Sequence, residues 1–446
     1  MLLSITVCLG VVIAIALVIL AAIGRTVQKY PTRYDKIEAE WKIQPEEYKA
    51  RLQKLADQVR QQGADIFIGS TFFSQVYLIG TTIEPTRRMF LVMVTSAGRK
   101  ILLVPRLERR HLANMPGFDE IRYYNEHPAP KGKRWIDSLS TLVSKDDLII
   151  VDGKDVAWDL EHNGYSKVTL DLLPQKNAMV KSPHELRIIR AACKLGDQCV
   201  RKIMKTMHIG APGVVLFKVG DAIKTTMARL MGFDPMLSSS LTGAWIGPSA
   251  DPHDVPGLGR LITRNGPHIA AIFIKAHGYM VEAEQLFFCD EPNAIQRQRY
   301  EQLMEIRAFV FRLLKPGVSV SEIDRKTRQF VFEKYGVESE HGVGHGIGLL
   351  SFHNLPYVTE VDEEDDVVLE PNMVITIEPG RYFQTSEDPN PEASGSYRHS
   401  KVVLITTHSY EVLSGLSEKI EDNIVPSFKP LVWIKSGLLK VVLRMH

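Results

Sequence analysis

Two histidines four residues apart, His341 and His345, stand in the glycine-rich run HGVGHGIGL (341–349), and His353 follows soon after. Glu282 and Glu284 alternate within GYMVEAEQLFFCD, Glu378 closes the apolar run VITIE, and His253 sits in SADPHDVPGLGR. Histidine, with an ordinary pKa of about 6.5, gives and takes protons near neutrality, while carboxylates bind metal or orient cationic and hydrogen-bond-donating groups. The histidine pair is not a zincin motif, which needs a helix and an intervening glutamate. On a strand, Glu282 and Glu284 share one face. Glu378, a carboxylate in an apolar strand, is costly unless it serves a site. His253, beside Asp254, transfers protons or caps a turn; His341 and His353 bind substrate or satisfy loop carbonyls. Lys275 and His277, among apolar residues, are secondary candidates.

These residues need elements to position them. YKARLQKLADQVRQQG, with Tyr48, Leu52, Leu55 and Val59 at helical spacing, predicts a helix ending at Gly63. Short β-branched runs then alternate with helical stretches, the pattern of an α/β domain over 46–175. A second domain, 176–425, opens at KSPHELRIIRAA, where Ser182 is the N-cap, Pro183 fits the first helical position and Glu185 completes a capping box. It contains an internal echo: 211–233 and 315–337 both run Pro-Gly-Val, a helical stretch, then glycine at identical spacing. A long unit used twice predicts a pseudo-symmetric domain with its pocket between the halves.

With 446 residues, 45% apolar and 24% charged, the chain has the make-up of a folded multidomain protein. A net charge of +2 and the lack of a recognition motif exclude a nucleic-acid partner. Four scattered cysteines predict reduced thiols rather than a disulfide framework. Residues 2–24 contain no charge and as a helix would span about 34 Å, enough for a bilayer. Arg25, Lys29, Arg33 and Lys36 follow, so the positive-inside rule directs the body to the cytosol. The expectation is a single-pass anchor over 1–25 (in the endoplasmic reticulum, if the cell is eukaryotic), a linker over 26–45 and a C-terminal tail over 426–446.

MVKSPHELRIIRAA, GHGIG and LEPNMVITIEPG together resemble the creatinase / aminopeptidase P / methionine aminopeptidase superfamily, over roughly residues 46 to 420. The resemblance implies a small creatinase-type N-terminal α/β domain followed by a pita-bread catalytic domain, and a homodimer. Metallopeptidases of this group hold two divalent ions with two aspartates, a histidine and two glutamates. Carried over by position, the histidine is His345 and the first glutamate is Glu378. The second aspartate becomes Glu282. The first falls on Ala271, or Ile272 if the gap sits on the other side, and the last glutamate falls on Ser400. No acid lies between His268 and Val281 or from Ala393 to Ser409. Two divalent ions need carboxylates to bridge them and offset about four positive charges. The resemblance therefore favours the metal-independent creatinase-like branch, with no cofactor. In that branch His253 resembles the acid/base histidine, and Glu284 and Glu378 the substrate-holding glutamates; His345, His353, Glu282 and His341 complete the substrate contacts. The arginine that creatinase uses after its last histidine is absent, which argues against creatine itself.

The implied reaction is C–N hydrolysis of a small molecule, or a cyclisation, elimination or isomerisation in a biosynthetic pathway. Two rivals stand beside it: an Xaa-Pro-type metallopeptidase with a degenerate metal site, and an inactive pita-bread module that binds a partner. Membrane attachment should rest on residues 2–24. A protein truncated to begin at Pro31 is expected in the supernatant after membranes are washed and sedimented; its retention in the pellet would move the anchor to the tail.

Overall fold

The structure is a computed structural model that describes residues 13–18, 20–21, 41–81, 88–126, 128–214, 217–218, 220, 240–247, 259–264, 266–351, 353–359, 366–426 and 434. His253, nearly all of the acidic run 360–366, most of the first echo unit, much of the 2–24 segment and most of the tail lie outside the described residues. Among the described residues, no helix is long and apolar enough to cross a membrane.

The first domain is built on a six-stranded sheet. Helix α1 (Pro45–Gln61) buries Leu52, Leu55, Ala56 and Val59, the stripe that helical periodicity dictates. The strands are β1 (Ile66–Gly69), β2 (Leu91–Thr95), β3 (Lys100–Pro105), β4 (Glu120–Tyr124), β5 (Ile149–Val151) and β6 (Val168–Leu170), in the order β4-β3-β2-β1-β5-β6. β2 runs antiparallel to both its neighbours, and the other pairings are parallel.

The second domain begins with α2 (Pro183–Lys205), capped as its sequence dictates: the Ser182 hydroxyl accepts from Glu185 N–H, and the Glu185 carboxylate accepts from Ser182 N–H. This helix lies on a four-stranded sheet of order β17-β9-β8-β7, made by β7 (Ser240–Trp245), β8 (His268–Ala276), β9 (Tyr279–Cys289) and β17 (Ile424–Val425). The approach is close at Gly196, where a Cβ would lie 2.9 Å from the Ala283 methyl, so only glycine fits. β8 and β9 are joined by His277 and Gly278, both at positive φ (47° and 84°), the conformation of a two-residue hairpin turn. That turn fixes the register, setting Phe273 opposite Glu282 and Ala271 opposite Glu284.

Helices α3 (Ala294–Leu313) and α4 (Val320–Tyr335) belong to the second half, whose sheet has the order β11-β10-β12-β15-β16. Its strands are β10 (Gly344–Gly346), β11 (Asn354–Val358), β12 (Val374–Ile377), β15 (Lys401–Ile405) and β16 (Tyr410–Val412), with β13 (Gly380–Phe383) and β14 (Gly395–Arg398) paired beside it. Single bridges, Tyr279 with Leu349 and Glu284 with Ser400, connect β9 to this second half. The two domains meet through Arg51 of α1. Its guanidinium donates to the Tyr77 carbonyl at 2.7 Å and lies 3.3 Å from Glu185, whose other oxygen accepts from Ser182; Tyr279 O–H donates to Glu185 at 2.8 Å.

His268, at the start of β8, is fully buried. Its Nδ1 accepts from Gly247 N–H at 3.1 Å and its Nε2–H donates to the Thr263 carbonyl at 2.9 Å, so the ring is neutral. Burial pulls its pKa down to about 4. The unfolded chain, titrating at about 6.5, binds the extra proton first, so stability is fully present above that pH and is lost as pH falls toward 4. Urea unfolding at pH 7, 5.5 and 4.5 should show this decline, and His268→Gln, which can keep both bonds, should flatten it.

Candidate active site

Glu282 lies on β9, His345 on β10, and Glu378 immediately after β12, where its N–H donates to the Val343 carbonyl at 2.8 Å. The three side chains converge: His345 Nε2 is 3.1 Å from Glu378 Oε1 and 3.8 Å from Glu282 Oε2. All three are buried. The His345 Nδ1 faces the Gly346 carbonyl at 3.0 Å and so carries a proton there, which leaves Nε2 turned toward Glu378. Burial, reinforced by the charges of Glu378 and Glu284, holds the Glu282 carboxyl well above the ordinary carboxylate range. Burial pushes Glu378 the same way, but the His345 hydrogen bond and the Arg398 charge outweigh it and hold Glu378 below that range. Two carboxyls driven apart in this way around one imidazole form a proton donor and an acceptor side by side.

Glu284, on β9, lies in an ion pair. Both its oxygens are engaged by Arg398 of β14, with Nε to Oε1 at 2.7 Å and Nη2 to Oε2. Arg398 in turn donates from Nη1 to His341 Nε2 at 3.3 Å, and His341 Nδ1–H donates to the Gly342 carbonyl at 2.7 Å. Burial works against the Arg398 charge, but Glu284 overrides it and raises the guanidinium pKa well above its ordinary value. Arg398 was not among the residues that the sequence singled out. Its signal was its position two residues before Ser400, which by strand alternation shares a face with the place of a lost carboxylate.

The structure therefore brings Glu282, His345 and Glu378 to one point and sets Glu284 beside them as the counter-ion of Arg398. His353 is exposed, its ring 4.1 Å from that of His345, at the mouth of the cluster. His341 satisfies a loop carbonyl and accepts from Arg398. His253 falls outside the described residues. Lys275 and His277 lie at the hairpin end, His277 stacked on Trp41.

Metal binding can be judged from the donors present. One ligand atom each from Glu282, His345 and Glu378 lies within 4.8 Å of the others, a set compatible with a single ion. A pair of ions does not fit. The positions that the resemblance gives to two further carboxylates, Ala271 or Ile272 and Ser400, are buried and supply only an aliphatic group and a hydroxyl, and Arg398 adds a fixed positive charge next to Glu284.

Helix-backed sheets closing on a buried His/Glu cluster define a pita-bread domain. Residues 187–407 match the sequence profile of metallopeptidase family M24. The chain is 27% identical over 368 residues to a Staphylococcus aureus (strain MW2) protein named an uncharacterised peptidase, covering 82% of this chain and 98% of that one. Its fold is similar to the dipeptidase PepE of Mycobacterium ulcerans, with TM-score 0.71 and 20% identity, covering 86% of this chain and all of that one. It is also similar to the prolidase of Pyrococcus horikoshii OT3, with TM-score 0.65 and 20% identity, covering 83% and 99%.

Removing Arg398 alone leaves the buried Glu284 carboxyl without its counter-ion and without either of its hydrogen-bond donors. Arg398→Gln should destabilise the protein by about 3–5 kcal/mol, and the double variant with Glu284→Gln should recover most of that loss. Urea unfolding of the four proteins of this cycle checks the coupling; additive effects would mean that the pair is not one unit.

Proposed function

We propose that this is a membrane-anchored, metal-independent hydrolase of the creatinase type, acting as a homodimer on a C–N bond of a small polar or cationic molecule. The observation that carries this reading is the buried Glu282–His345–Glu378 cluster; by the motif resemblance, Ala271 (or Ile272) and Ser400 take the places of two further metal-binding carboxylates. In such a hydrolysis, water adds to the carbon while its proton passes to the His345–Glu378 pair. The C–N bond then breaks as the nitrogen takes a proton from Glu282. Each group stands in the state its task requires: Glu282 holds a proton, and Glu378 with His345 accepts one. Glu284 and Arg398 keep the carboxyls in place. By motif resemblance, His253 is a further acid/base group of this reaction.

The rival reading is a peptidase of the Xaa-Pro type with one ion on the same three donors. It is supported by the peptidase named among the relatives and by the three-donor set.

Elemental analysis of protein purified without chelator or metal-affinity tag separates the two. The proposal expects no stoichiometric transition metal and EDTA-resistant release of amine or ammonia from small ureido and guanidino compounds. One ion per chain, together with EDTA-sensitive cleavage of Xaa-Pro dipeptides restored by manganese, would establish the rival. His253→Ala and Glu378→Gln should each lower turnover by roughly a hundredfold or more, and Ser400→Ala should change it little.

A further inference from the structure

Away from the site, a groove of about 770 Å³ opens between α3 and the β15–β16 edge of the five-stranded sheet. One wall is the face of α3 that carries Met304, Arg307, Ala308, Phe311 and Arg312, spaced as successive turns of one helix face. The opposite wall is formed by Lys401, Tyr410, Val412 and the loop after β16. Phe311 and Tyr410 place their ring centroids 5.4 Å apart on the apolar side.

The charges lining the groove do not balance. Among the described residues, Arg307, Arg312, Lys401 and Lys419 face it, against the single carboxylate of Glu418. Glu418 is already paired with Arg307 at 2.8 Å. Two of the cations are buried, Arg307 at 1% and Lys401 at 3% exposure. Among the described residues, Lys401 makes one hydrogen bond, to the Leu416 carbonyl, although an ammonium carries three donors, and Arg307 Nε has no partner. Burial, with a further contribution from Arg307 and against the pull of Glu418, brings the Lys401 ammonium down to about 8. Buried cations with unspent donors on a solvent-open cavity are an expensive arrangement for structure alone.

We infer that this groove is a binding site for a small organic anion, a phosphate monoester or carboxylate bearing one ring-sized apolar part. The anionic group takes the donors of Lys401 with support from Arg312 and Lys419, and the apolar part lies over Phe311 and Tyr410. The site is separate from the catalytic cluster. Arg307 stands between the two, because its Nη1 also holds the carbonyls of Ile377 and His399.

Calorimetric titration of the full chain with phenyl phosphate tests the site, with inorganic phosphate and benzyl alcohol as partial probes. Phenyl phosphate is expected to bind at least tenfold more tightly than either partial probe. The exposed pair Arg312→Gln/Lys419→Gln, which leaves the interior untouched, should weaken binding at least tenfold. Lys401→Met, if it folds, should weaken it further. Absence of phenyl phosphate binding at millimolar concentration, equal affinity for inorganic phosphate, or unchanged affinity in the exposed pair would each overturn the inference.

Discussion

Three carboxylates, Glu282, Glu284 and Glu378, are taken out of water within one small volume. Much of the second domain's arrangement follows from the need to make that tolerable. An isolated buried carboxylate costs several kcal/mol, and neighbouring ones repel, so each must find its own compensation. Glu284 finds it in the two-pronged grip of Arg398, Glu378 in His345, and Glu282 by keeping its proton. Glu284 stands on β9 of the first half and Arg398 on β14 of the second, so this pair forms only when both halves of the domain have closed. Closure and charge balance are one condition.

The scaffold meets that condition with local devices. β8 is apolar almost throughout and buried, so it supplies the floor on which β9 can carry its glutamates. The His277–Gly278 turn fixes which residues of β8 face them, and Gly196 lets α2 press onto β9 at Ala283. A one-residue slip in that hairpin would turn both glutamates to the opposite face.

Much of this was legible in the chain. The capping box at Ser182 and Glu185 and the stripe of α1 are local, and local patterns report them faithfully. The cluster of Glu282, His345 and Glu378 was visible as residue types in suggestive places, and its convergence was implied by family likeness. What the sequence concealed was the division of labour between Glu282 and Glu284. Alternation places both on one face, and both are buried, so period alone cannot tell them apart. The difference comes from Arg398, more than a hundred positions further on and hydrogen-bonded to only one of them. A long-range ion pair has no period and no local signature. Likewise, His341 and His345 look equivalent as written and each Nδ1 satisfies the next residue's carbonyl; only the fold sets the Nε2 of His345 against Glu378 and that of His341 against Arg398.

The contact through Arg51 has an evolutionary consequence. The guanidinium of a first-domain helix sits against Glu185, the same carboxylate that caps α2 and receives the Tyr279 hydroxyl at the root of the hairpin bearing Glu282. The small domain is thus not an ornament that lineages can discard or exchange. A gene fusion that replaced it would leave a buried carboxylate without its cation and disturb a helix start and a strand start together. Any descendant of this architecture that dispenses with the first domain must also rewrite positions 185 and 279, so the two domains are bound to change in concert.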